Sequence, residues 1–67
     1  MAKKLRELKA MLRRAGWVQI QGGKGSHSKW MHPRVSRRVI LSGGDGADAL
    51  RYQEMDVARA VDEAASR

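Results

Sequence analysis

The spacing of apolar residues changes abruptly at Gly16, and this change constrains the fold more than any other feature of the chain. Before it, Leu5, Leu8 and Leu12 recur every three or four residues, as on one face of an α-helix. After it, apolar and polar residues alternate with period two, as in a β-strand. Because glycine accepts the left-handed conformation that ends many helices, Gly16 is the expected boundary. The sequence therefore predicts a helix over Lys3–Ala15, followed directly by a strand.

Three short strands are predicted after this helix. They are Trp17–Gln21, Ser26–His32 and Arg37–Ser42. In the first, Val18 and Ile20 share one face, which is the pattern of a half-buried strand. Pro33 ends the second, because proline cannot donate to a strand ladder. The connections at residues 22–25 and 33–36 are short, and short connections favour an antiparallel meander.

A second helix is predicted near the end of the sequence, beginning at Tyr52 or Gln53 and ending at Ala65. Its expected apolar stripe is Met55, Ala58 and Val61, with Val57 and Ala64 alongside. Asp48 is a candidate cap for it. The predicted fold is α+β in the order α-β-β-β-α, with both helices on one face of a three-stranded antiparallel sheet. Sixty-seven residues allow one such domain, spanning residues 1–67.

The charge of the chain is strongly uneven. The formal net charge is +7, and residues 1–44 hold eleven of the fourteen Lys and Arg against one acid, a net charge of +10. Such a segment favours a polyanion, with RNA the first candidate, or an acidic protein partner. The chain has no cysteine, which fits the reducing cytoplasm and excludes thiolate metal sites. No apolar run approaches the roughly 20 residues of a membrane span, so no membrane is expected as a partner.

His27 is the first candidate for acid–base chemistry, because imidazole exchanges protons near neutral pH. The residues expected to bind RNA or to support the reaction are Lys24, Gly25, Ser26, Lys29, Arg34, Arg37 and Arg38. His32, beside Pro33, is either structural or a secondary acid. Trp30 either stacks on a base or packs under the sheet, and Trp17 is expected to pack in the core or at its edge. With two imidazoles and no cysteine, we expect no metal site and no cofactor.

The ordered set of motifs resembles the HicA toxins of bacterial toxin–antitoxin pairs. The set comprises a basic amphipathic helix, Gly16-Trp17, Gly25-Ser26-His27, His32-Pro33 and a Val-Ile-Leu strand. The resemblance implies a fold like a double-stranded RNA-binding domain, cleavage of mRNA, and a HicB-like antitoxin that blocks the toxin. It also implies that His27 is the catalytic residue. The chain departs from the family at Gln21, where an arginine is common.

Two other functions compete with a ribonuclease. The first is a non-catalytic RNA-binding module of the double-stranded RNA-binding type. Such modules bind phosphates with basic residues at the start of their second helix. This chain has Glu54 and Asp56 there, so phosphate binding by that helix is not expected. The second is a structural protein whose basic face docks an acidic subunit. Substitution of His27 discriminates the enzyme from the RNA-binding module. Growth arrest on expression of this chain alone, relieved by a neighbouring HicB-like gene, discriminates a toxin from the structural protein.

Overall fold

The computed structural model describes residues 3–22 and 27–66, with the side chains of residues 21 and 22 left out of the description. The elements are α1 (Leu5–Arg14), β1 (Val18–Gly22), β2 (Ser28–His32), β3 (Val35–Leu41) and α2 (Arg51–Ala65). This order confirms the predicted α-β-β-β-α arrangement. As expected, Gly16 follows α1 with a φ of +93°.

The three strands form one antiparallel sheet in the order β1-β2-β3. In β2 and β3, alternate residues face the helices and are buried, except for the half-buried Arg37. The residues between them lie on the opposite face, here called the open face, and are exposed except for the half-buried Met31. β3 begins at Val35 and not at Arg37 as predicted, so the turn before it is only two residues long. The strand extends because Val35 pairs with His32 and buries its side chain in the core.

Both helices cover the same face of the sheet, and the core lies between the helices and that face. Its largest members include Trp17, Trp30, Leu8 and Val39. At the start of β1 the buried residue is Trp17, and Val18 is 56% exposed. The alternation of this strand then breaks at a bulge between residues 19 and 21, and Ile20 is 43% exposed. The expected packing of Trp17 is therefore confirmed, whereas the apolar pair of β1 lies in solvent.

α2 is confirmed as a helix, but its buried face differs from the predicted stripe. The buried residues are Gln53, Val57, Ala60 and Ala64. Met55 is exposed and Val61 is half-buried. The true stripe was hard to find because two of its four members are alanines and one is polar. Gln53 tolerates burial because its amide donates to the Ser42 carbonyl (2.9 Å) and accepts from the Leu50 amide (2.8 Å).

The loop between β3 and α2 closes over the amino terminus of α1. The amides of Leu5 and Arg6 donate to the carbonyls of Ala47 (3.0 Å) and Asp45 (3.2 Å). These bonds satisfy amides that have no partner within the helix itself. Asp48, the predicted cap, does not cap α2, because the N-cap residue is Leu50. The carboxylate of Asp48 instead accepts a hydrogen bond from Lys4 at 2.6 Å.

Candidate functional site

His27 is exposed and stands directly before β2. Lys24, Gly25 and Ser26, the neighbours predicted to assist it, lie outside the described residues. Lys29, two residues further along the chain, has its side chain on the open face of the sheet. An accessible imidazole and an exposed ammonium group thus follow one another along the start of β2.

Arg38 is a second cation on the open face. It alternates with the buried Val39 of β3, and its Nη1 donates to the Ser36 carbonyl within the same strand at 3.3 Å. Lys29 is paired in register with Ile40, two residues beyond Arg38. The sheet therefore presents Lys29 and Arg38 on the same side and on adjacent strands.

Arg34 and Arg37 occupy other parts of the fold. Arg34 is exposed in the turn between β2 and β3, at the opposite end of β2 from His27. Arg37 lies on the helix-covered face, where its Nε donates to Glu63 at 2.7 Å and its Nη1 to Asp56 at 3.1 Å. These two carboxylates of α2 raise the pKa of Arg37, the hydrogen bond to Glu63 being the largest cause. Arg37 therefore already joins β3 to α2.

His32 is buried and both of its ring nitrogens have backbone partners. Nδ1 accepts a hydrogen bond from the Arg34 amide at 3.0 Å, which leaves Nε2 to carry the proton and donate to the Ala15 carbonyl at 3.2 Å. The imidazole also contacts the ring of Trp17, with 5.6 Å between centroids. His32 is five residue steps from His27, roughly 16 Å along an extended strand. This geometry favours the structural interpretation of His32 over a role as secondary acid.

Trp30 is fully buried, and its Nε1 donates to the Ser28 hydroxyl at 2.9 Å. The guanidinium of Arg13 lies over the ring, 5.1 Å from its centroid. At this distance the face of the ring attracts the positive charge in a cation–π interaction. Because the ring has no exposed face, Trp30 packs under the sheet and does not present a surface for stacking on a base.

The basic face that the sequence predicts for the first helix carries a row of three cations in the structure. Arg6, Lys9 and Arg13, here called the α1 cation row, recur at the spacing of one helix face. Lys9 Nζ lies 2.6 Å from the carboxylate of Asp45, in the loop after β3. The signal was present in the sequence as the spacing i, i+3, i+7, but the link to Asp45 depends on how the loop folds.

The match to a family model decides the identity of the chain. The model describes the HicA toxin of bacterial toxin–antitoxin systems, and it matches residues 5–62. The chain belongs to the HicA toxin family. The matched segment contains His27, the open face of the sheet and most of α2. Neither a search of curated proteins nor a search of solved structures gave a match.

Membership of the HicA family assigns the chain the role of a toxin and implies an antitoxin partner. Among the described residues, no helix is long and apolar enough to cross a membrane. Within the same part of the chain, no three His, Asp or Glu side chains form a group able to hold a metal ion.

Proposed function

We propose that this HicA-family toxin is an endoribonuclease that cleaves mRNA, with His27 as its general base. The observation that carries the proposal is the position of His27, an exposed imidazole at the entrance to β2 within the family-matched segment. Lys29 follows it two residues later, on the open face of β2. An mRNA substrate implies that the toxin acts in the cytoplasm.

The chemistry requires only groups that RNA and this chain supply. The imidazole of His27 takes the proton of a ribose 2′-hydroxyl, and the 2′-oxygen attacks the adjacent phosphorus. The bond from phosphorus to the 5′-oxygen breaks, and that oxygen takes up a proton from water. The hydroxide left behind takes the proton back from the imidazolium of His27. The products are a 2′,3′-cyclic phosphate and a 5′-hydroxyl. The ammonium groups of Lys29 and Lys24 stabilise negative charge on the phosphoryl oxygens, and the backbone amides of Gly25 and Ser26 bind the phosphate.

The antitoxin in this proposal is a HicB-like protein that places an acidic surface over the open face. Lys29 and Arg38 supply the positive charge there, and Val18 and Ile40 supply exposed apolar area. An antitoxin on this face covers His27 and keeps mRNA away from it.

The experiment that tests the nuclease compares the wild type with His27→Ala. Because His27 is exposed, we expect the variant to keep its fold and its antitoxin binding while cleavage falls by about 10²–10⁴-fold. The same reaction in EDTA tests for independence of metal ions. Mass spectrometry of the products identifies the 2′,3′-cyclic phosphate, and RNA with 2′-O-methyl ribose throughout should resist cleavage.

Three outcomes would contradict the proposal. Undiminished cleavage by His27→Ala would remove His27 as the base. Cleavage of the 2′-O-methyl RNA would remove the 2′-hydroxyl as the nucleophile. RNA binding without cleavage by the wild type would instead favour the non-catalytic RNA-binding module.

A further inference from the structure

Three cations of α1 act on a single carboxylate. Lys9 Nζ lies 2.6 Å from Asp45 Oδ1, so the pair is in direct contact. The pKa of Asp45 is lowered, first by its hydrogen bond with Lys9 and the charge of that residue, and further by the charges of Arg13 and Arg6. Asp45 is therefore in direct contact with Lys9 and lies within the electrostatic field of Arg6 and Arg13.

The carboxylate of Asp45 can leave this point without unfolding the loop. Its side chain is 67% exposed, whereas the side chain of Lys9 is only 15% exposed. The backbone of Asp45 is fixed independently, because its carbonyl accepts from the Arg6 amide at 3.2 Å. Rotation of the Asp45 side chain into solvent would expose the cations and keep the loop in place.

We propose that the α1 cation row is a phosphate-binding subsite for RNA, and that Asp45 occupies it as an internal counter-ion in the free toxin. The inference rests on the proposed RNA substrate. A phosphodiester carries one negative charge and two free oxygens, as a carboxylate does, so it can replace Asp45 beside Lys9. Arg6, Lys9 and Arg13 offer more donors than Asp45 alone can satisfy.

The topology brings this subsite to the end of the sheet at which His27 stands. Ser28, the residue after His27, is paired in register with Leu41. Asp45 follows Leu41 by four residues, a span of at most about 14 Å. An RNA strand that crosses this end of the sheet would contact His27 and, a few nucleotides away, the α1 cation row.

The test is the binding of a labelled 2′-O-methyl RNA, followed by fluorescence anisotropy over a range of salt concentrations. This RNA lacks the 2′-hydroxyl, so its binding is measured apart from the proposed chemistry. Arg6→Gln and Lys9→Met should each weaken binding and lower the salt slope by about 0.7 for each phosphate that the variant no longer neutralises. Asp45→Asn should tighten binding, because it removes the competing charge and keeps the shape of the side chain.

The matched control is Arg59→Gln, which removes one positive charge from an exposed position on α2. This variant should leave both the affinity and the salt slope close to those of the wild type. Thermal unfolding of each variant confirms that the folded protein is being compared. Equal weakening by Arg59→Gln and Lys9→Met would overturn the subsite, as would unchanged or weaker binding by Asp45→Asn.

Two further measurements identify the class of ligand that binds the α1 cation row and test the phosphate subsite independently of the nuclease activity. Displacement of the RNA by poly-glutamate at equal charge concentration would assign the row to an acidic protein and overturn the RNA subsite. Cleavage of unmodified RNA is measured in parallel on the wild type. If the wild type binds RNA as expected but does not cleave it, the proposed nuclease activity is wrong and the phosphate subsite is supported. If the wild type cleaves RNA but the variants do not change RNA binding as expected, only the phosphate subsite is rejected.

Discussion

The imidazole Nε2 of His32 lies 3.2 Å from the carbonyl oxygen of Ala15, and this hydrogen bond ties the end of β2 to the end of α1. The carbonyl belongs to the last turn of the helix, where no intrahelical amide remains to satisfy it. On the other side of the ring, Nδ1 accepts a hydrogen bond from the backbone amide of Arg34, in the turn that leads to β3. One side chain therefore joins a helix terminus, a strand and a turn.

Substitution of His32 by Phe should destabilise the fold without removing the proposed chemistry. The phenyl ring retains packing against Trp17 but removes the hydrogen bonds that His32 makes to the Ala15 carbonyl and to the Arg34 amide. A typical intramolecular hydrogen bond contributes about 0.5–1.5 kcal/mol, and both of these are part-buried, so urea denaturation should show a loss of stability of that order for each. Cleavage per folded molecule should remain close to wild type.

His32→Gln is the informative companion to that variant. Its amide nitrogen can restore the donor to Ala15, so its stability should lie between those of the wild type and His32→Phe. A loss of cleavage in both variants, at temperatures where both are folded, would contradict the structural role and restore His32 as an acid.

Gly16→Ala should destabilise the protein through both backbone and side chain. Gly16 has a φ of +93°, and a Cβ at this position would lie 3.0 Å from His32 Nε2. The left-handed conformation alone costs a residue with a Cβ about 1–2 kcal/mol. Gly46→Ala is the matched control, because a Cβ there meets no atom within 4 Å. Thermal unfolding should separate the two variants, and equal melting temperatures would contradict this account.

Much of the fold could be predicted because its strongest signals are local. The leucines of α1 and the left-handed Gly16 depend on near neighbours in the chain, and both were identified correctly. The buried face of α2 could not be found in this way, since it is selected by contact with the sheet and not by hydrophobicity. Gln53 shows this, because its burial depends on the carbonyl of Ser42, eleven residues away.

In the candidate site, too, some features follow from local sequence and others depend on distant residues. Lys29 and Trp30 are neighbours in β2, so the alternation of a strand is enough to place them on opposite faces of the sheet. Arg37 and Arg38 are neighbours in the sequence, but they point to opposite faces of β3 and differ in their partners. Asp56 and Glu63, which bind Arg37, are nineteen and twenty-six residues away. Partners at that distance follow from helix packing and could not be predicted from local sequence.

The lowered pKa values of Asp45 and Asp48 predict a loss of stability in acid. Each carboxylate accepts from a lysine, Asp48 from Lys4 and Asp45 from Lys9, and this hydrogen bond is the largest cause of each shift. Because the folded pKa lies below the ordinary value of 3.8, the stabilisation is present above that value. It is lost as the pH falls through the folded pKa, where both carboxylates take up protons.

NMR titration of the aspartate side chains checks this assignment residue by residue. Lys4→Met should return the pKa of Asp48 towards its ordinary value and leave the pKa of Asp45 unchanged. Lys9→Met should do the reverse. A shift of both carboxylates in either variant would show that the two pairs are not independent.

Trp30→Ala should be the most destabilising of these substitutions, because Trp30 is fully buried beneath α1. Truncation of a buried tryptophan costs about 3–5 kcal/mol, and a domain of this size has little stability to lose. The Ser28 hydroxyl also loses its donor. Ile40→Ala is the control, since Ile40 is 59% exposed on the open face and its truncation should cost less than about 1 kcal/mol. Circular dichroism with urea denaturation should find the Trp30 variant largely unfolded and the Ile40 variant folded, and comparable losses in the two would contradict the assignment of the covered and open faces.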